Sequence, residues 1–177
     1  MEFLKYRSII PVLLSLLICM SCGPSIIRGQ PPFISIAGLS LEGQQLSADF
    51  NIHNQNGEPM DIDGIEIQVQ VEEAVLTRYN SDFKLSIGAN GTEEILVEQL
   101  PDEFTQQLLT SLQSGEISSL PFHLEGKVNT LLDGTLQFRN KGHLYPVPGR
   151  PGQFRSATTH SSRVHGDDLF RVIDDKQ

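Results

Sequence analysis

The sequence predicts an all-β protein, an antiparallel sandwich of about seven short strands with one short α-helix. Three observations predict it. Strict apolar/polar alternation runs through two segments, turn-forming residues recur at roughly ten-residue spacing, and a helical period occurs only after Pro101. In Leu46-Ser47-Ala48-Asp49-Phe50-Asn51-Ile52-His53 every second residue is apolar, the period of a half-buried strand. The pattern returns in Ile65-Glu66-Ile67-Gln68-Val69-Gln70-Val71-Glu72, and the intervening Asn54-Gln55-Asn56-Gly57-Glu58-Pro59 consists of turn formers. The two segments read as neighbouring antiparallel strands of a sheet with one wet face.

Phe33 to Leu41 supplies the opening strand, and Glu42-Gly43-Gln44 turns it into the Leu46 strand. Beyond Val71, Ala74-Val75-Leu76 reads as a short edge strand. Phe83, Leu85 and Ile87 alternate with polar residues, and Asn90-Gly91 offers the φ > 0 pair of a tight hairpin into a strand from Thr92 to Leu100. The consecutive Ile95-Leu96-Val97 implies a bulge or burial on both faces. After Pro101 the period changes: Phe104, Leu108, Leu109 and Leu112 form one helical stripe, with Asp102 and Glu103 at the positive end of the dipole and Gly115 beyond the last turn. A helix over Asp102 to Gln113 is predicted, with Phe104, Leu108 and Leu112 closing the core at one end. Alternation resumes at Leu120, Phe122, Leu124, Gly126 and Val128. Asp133-Gly134 then turns the chain into Leu136-Gln137-Phe138, and a last short strand ends near Tyr145.

The flanks differ in composition. Lys5 and Arg7 precede an apolar run from Ile9 to Ile18, the charged n-region and h-region of an export signal. The run falls short of the roughly 20 apolar residues of a membrane-spanning helix. It ends at Cys19-Met20-Ser21-Cys22-Gly23, which resembles the lipobox of bacterial lipoproteins, with Ser21 as the small residue before the cut and Cys19 standing where the family usually has leucine. That resemblance implies a signal peptide over residues 1–21 and a diacylglycerol on the Cys22 thiol. With Gly23 rather than aspartate next, it also implies sorting to the outer membrane, facing the periplasm. An ordinary secretory signal is the alternative. Residues 22–32, rich in Gly and Pro, read as a tether. The domain is assigned to residues 33–146, and residues 147–177, Pro/Gly-rich and then polar, are expected to be a largely disordered tail. Within that tail Leu169-Phe170-Arg171-Val172-Ile173 is the only apolar cluster.

The net charge of −9 argues against nucleic acid, whose phosphates demand Lys and Arg, and against binding to anionic lipid through a basic patch. Membrane attachment is therefore expected through acyl chains alone. Removal of the signal leaves Cys22 without a cysteine to pair with, so no disulfide supports the fold.

The order of elements resembles the late-embryogenesis-abundant (LEA) type 2 family, which contains the water-stress and hypersensitive-response domain. The matching features are a strand ending in an Asn-x-Asn loop (Asn54-Gln55-Asn56, where the family usually has Asn-Pro-Asn), the following Pro59 and alternating strand, a hairpin, one helix, and the strand Gly134-Thr135-Leu136-Gln137-Phe138. The resemblance spans roughly Phe33 to Tyr145. It implies an immunoglobulin/fibronectin-III-like sandwich and a protective role under desiccation. Asn54 and Asn56 are expected to cap the loop backbone and adopt the left-handed conformation.

No residue constellation points to catalysis, a cofactor or a small-molecule substrate. His53, His123 and His143 are isolated and read as solvated. Asp61-x-Asp63-Gly64 lacks the regular oxygen ligands and distal Glu of a calcium loop. Asn90-Gly91-Thr92 matches a glycosylation sequon, but Asn-Gly suits a turn. Two functions follow as expectations: a non-catalytic, lipid-anchored protective module of the envelope, or an accessory lipoprotein docking on an envelope protein assembly through a strand edge or its tail.

Overall fold

Alternation becomes strand where it is strongest. Leu46, Ala48, Phe50 and Ile52 are buried along β2 (Gln45–His53), while on the other face Asp49 is exposed and Ser47, Asn51 and His53 are half-buried. In this computed structural model, which describes residues 27–159, the chain runs β1 (Phe33–Glu42), β2, β3 (Met60–Val71), β4 (Ala74–Ser81), β5 (Leu85–Ile87), β6 (Thr92–Gln99), α1 (Glu103–Ser114), β7 (Leu120–Thr130), β8 (Gly134–Pro146) and β9 (Gln153–Thr159). The signal segment, Cys22 and the cluster Leu169–Ile173 lie outside the described residues.

Among the described residues the fold is all-β with one helix, but it is a nearly closed, barrel-like sheet of nine strands rather than a seven-strand sandwich. The strand order is β4-β3-β7-β8-β9-β1-β2-β6, with β5 also paired to β3. Every pairing is antiparallel. The two strands that alternation marks most clearly are not neighbours: β2 pairs with β1 and β6, and β3 with β4, β5 and β7. Alternation reports which face a strand buries and carries no information about its partner. The Asn90-Gly91 hairpin is likewise corrected. Asn90 does take φ 54, yet β5 and β6 diverge from this turn to opposite ends of the sheet.

Sheet closure depends on close backbone approach. Across β7 and β8, Phe122 stands opposite Gly142 and Phe138 opposite Gly126. A Cβ on Gly126 would lie 1.9 Å from the Glu66 carbonyl oxygen and 2.6 Å from Cζ of Phe138; on Gly142 it would lie 2.3 Å from the Ala157 carbonyl oxygen and 2.8 Å from Cζ of Phe122. Each phenyl ring covers the glycine beside it, which lets the pair coil tightly around the core.

Two joins are weak. β9 pairs with β1 only at Leu39–Phe154 and Ser40–Gln153. Farther along, the β1 carbonyls of Ile34 and Ile36 accept instead from the Asn140 amide and the Ser156 hydroxyl. The open edges of β4 and β6 meet through one side chain: the Gln99 amide donates to the Leu76 carbonyl and its oxygen accepts from the Thr77 hydroxyl at 3.0 Å and from Arg78 N at 3.4 Å. Gln99 imitates a peptide unit at that seam.

Helix α1 covers the end of the barrel where β6 finishes. Asp102 caps it, accepting from Thr105 N at 2.7 Å, and Gly115 ends it at φ 84. The stripe that packs is Thr105, Leu109 and Leu112, with Leu108 at its margin. Phe104, expected in the core, is 48% exposed. The buried stripe is rotated toward the i, i+4, i+7 series beginning at Thr105, one residue beyond Phe104. The Ile95-Leu96-Val97 run holds neither a bulge nor double burial: β6 pairs with β2 in continuous register and Leu96 is 56% exposed.

The domain also extends past Pro146, the limit drawn from composition. Gln153–Thr159 inserts between β8 and β1, with Phe154 in the core. Gly149 and Gly152, at φ 75 and 77, turn the chain back instead of releasing it.

Candidate functional site

The Asn-x-Asn loop forms a buried polar knot at the end of the barrel opposite α1. Asn54 is fully buried, and its amide donates to the carbonyls of Glu58 at 2.8 Å, Gly88 at 3.0 Å and Ile87 at 3.2 Å. Its oxygen accepts from both the backbone N and the side-chain amide of Asn56, at 2.9 and 3.0 Å. Asn56 in turn pairs with the Gln30 peptide in both directions, donating to its carbonyl at 3.0 Å and accepting from its N–H at 2.9 Å. Backbone bonds from Asn54 N to Gly91 O, Asn90 N to Asn56 O and Gly57 N to Ile27 O complete the knot. Three chain segments, 27–31, 54–58 and 87–91, are thus held by two side chains whose buried polar groups are partnered. Neither asparagine takes the left-handed conformation expected of it. Among the described residues the positive-φ residues other than glycine are Glu72 and Asn90, and the asparagines act through their amides.

The other residues singled out in the sequence stay apart. His53 pairs across strands with Thr92, Nδ1 to Oγ1 at 3.0 Å. His123 is exposed opposite Lys141. His143 is exposed with its ring 6.3 Å from that of Tyr145, over which the Arg155 guanidinium lies at 5.7 Å. Asp63 occupies a β-bulge, where the register of β3 against β7 shifts between Ile62 and Gly64. Asp61 is exposed, and its carbonyl accepts from Leu131 N at 3.1 Å. The Asp61-x-Asp63-Gly64 pattern therefore encodes a bulge. Among the described residues no group of three or more His, Cys, Asp and Glu is placed to hold a metal ion.

The exposed large apolar residues divide between the two ends. Val75, Leu96, Leu100 and Phe104 gather around the Gln99 seam and the start of α1, whereas Ile27, Leu131 and Leu132 lie at the asparagine end. Periodicity marks Leu96 and Phe104 as apolar but does not show that they face outward.

No protein-family model matches this chain, and no curated protein does. Among solved structures, a protein from Archaeoglobus fulgidus matches at TM-score 0.41 and 10% identity, over 70% of this chain and 98% of that one. A protein from Arabidopsis thaliana, solved in solution, matches at TM-score 0.43 and 10% identity, over 72% of this chain and 93% of that one. Catalytically inactive OgpA from Akkermansia muciniphila, in complex with an O-glycopeptide, matches at TM-score 0.31 and 13% identity, over 75% of this chain and 33% of that one. Likeness at these scores assigns neither a family nor an activity.

Proposed function

We propose that this protein is a non-catalytic envelope module, held on a membrane through lipidated Cys22, whose hydrated acidic surface protects neighbouring macromolecules when water is scarce. Its surface charge carries the reading. The net charge is −9, while the ion pairs among the described residues are Arg28–Glu58, Lys127–Glu66 and Arg139–Glu125. Glu93, Glu94 and Glu98 on β6 and Asp61 and Asp63 on β3 stand exposed. Such a surface binds water and keeps copies apart as they concentrate. The resemblance of the Asn54–Asn56 loop to LEA type 2 proteins supports the same role, and the lipobox-like Ser21-Cys22-Gly23 supports an outer-membrane anchor facing the periplasm.

The test is to dry a labile enzyme with residues 23–177, which retain all nine strands, beside an equal mass of an unrelated acidic β-protein. Greater recovery with this protein is expected. Equal recovery from both would reduce the effect to crowding. The exposed Val75, Leu96, Leu100 and Phe104 support a second reading, an accessory that docks on an envelope protein. Stoichiometric copurification of one partner from unstressed cells would favour it.

A further inference from the structure

The asparagine end of the barrel exposes two consecutive leucines in one turn. Leu132 is 84% exposed and Leu131 63%, in the turn between β7 and β8. The amino-terminal segment enters the fold beside them. Ile27, itself exposed, bonds through its carbonyl to Gly57 N, and a Cβ on Gly29 would lie 3.8 Å from Oδ1 of Asp133, the next residue of the same turn. The Asn56–Gln30 pair fixes this entry point. From Cys22 to Ile27 the chain can span at most about 18 Å, at roughly 3.6 Å per residue. An anchor at Cys22 therefore places this end of the barrel toward the bilayer, and the α1 end away from it.

We infer that the Leu131-Leu132 turn is a membrane-contact tip, seated in the interface of the bilayer to which the chain is anchored. The inference rests on the anchored reading above and adds orientation to it: the tip and the acyl chains make two points of attachment. The contact is apolar. Arg28, ion-paired to Glu58, stands with Asp61 and Asp133 around the turn, a balance that stays negative, so anionic headgroups are not attracted to it. Insertion of the two leucines alone is weak, and it becomes effective because the anchor supplies a high local concentration of lipid.

The experiment uses the full lipidated protein, in vesicles of phosphatidylethanolamine with a minority of phosphatidylglycerol. An environment-sensitive fluorophore is attached through Leu132→Cys, or through Gln107→Cys on the exposed face of α1 as the distal reference. The expected result is a blue shift and quenching by a nitroxide lipid at position 132, with neither at 107, and no change when the anionic lipid fraction or salt is raised. Loss of quenching on adding Leu131→Ser to the labelled protein would support the tip further. Equal, water-like emission at both positions in protein that pellets with the vesicles overturns the tip while leaving the anchor standing. Failure to pellet, with an unmodified Cys22 by mass spectrometry, overturns the anchor and this inference with it. A blue shift at 132 that requires added envelope proteins means that a protein covers the turn, and quenching that grows with anionic lipid means an electrostatic contact. Either result overturns the proposal.

Discussion

Asn56 and the Gln30 peptide hold each other by a closed pair of hydrogen bonds, at 2.9 and 3.0 Å, in a site where Asn56 is 4% exposed. This pair makes residues 27–31 part of the barrel rather than a free tether. Asn56→Ala leaves the Gln30 N–H and carbonyl without partners and is expected to cost about 2 kcal/mol. Asn54→Asp sets a buried carboxylate against the carbonyls of Glu58, Ile87 and Gly88 and is expected to cost about 4 kcal/mol or more. Urea midpoints, with amide exchange at Gln30, measure both. An Asn54→Asp protein as stable as the parent would show that the knot contributes little.

Gly126→Ala and Gly142→Ala drive a methyl group into the backbone of Glu66 and Ala157. Each is expected to destabilise by about 2–3 kcal/mol, as overpacking does. Gly88→Ala, where nothing lies within 4 Å of the added Cβ, serves as the reference and should stay within about 0.5 kcal/mol of the parent. Thermal unfolding of the three variants decides it, and equal losses at all three positions would refute the close-approach explanation.

The Gln99 seam gives a local prediction. Gln99→Ala removes a partner from the Leu76 carbonyl, the Thr77 hydroxyl and Arg78 N, at about 1–2 kcal/mol. Hydrogen exchange should accelerate at β4 amides and leave β7 unchanged, because β7 is paired on both sides. Uniform acceleration would mean that the seam is not an independent opening unit.

Asp102 supplies a pH-dependent contribution. Its carboxyl is held below the ordinary value of 3.8, chiefly because Thr105 N–H donates to the charged form. A carboxyl lowered in the fold is protonated first in the unfolded chain as pH falls. Its stabilisation is therefore complete above 3.8 and is lost as pH drops through the folded value. Asp102→Asn keeps a capping acceptor without the titration, so the stability difference between parent and variant should shrink on acidification through this range. A difference that does not vary with pH would contradict the assignment.

Much of the local structure was legible in the sequence because its signals are short-range. Phe50 and Ile67 are in the core, as alternation implies, while Asn51 and Gln68 on the other face are half-buried, the Asn51 side-chain oxygen being covered. Helix α1 starts at its Asp102 cap and stops at Gly115, where local backbone chemistry places a start and a stop. Asn54 and Asn56 stood out as turn residues, but their amide bonding needs Ile87, Gly88 and Gln30 to be brought in from distant segments.

The sequence by itself determined the all-β class, the buried face of β2 and β3, the helix and the acidic surface, all consequences of side-chain period, capping and charge count. Only the tertiary structure decided which strands are neighbours. It separated β2 from β3, parted β5 from β6, and recruited β9 from a stretch whose glycines and prolines read as the start of a tail. The physical reason is that a strand's hydrogen-bonding edges are the same for any partner. The choice among partners falls to contacts that local pattern does not contain: Phe122 over Gly142, Phe138 over Gly126, and the Gln99 amide joining β4 to β6.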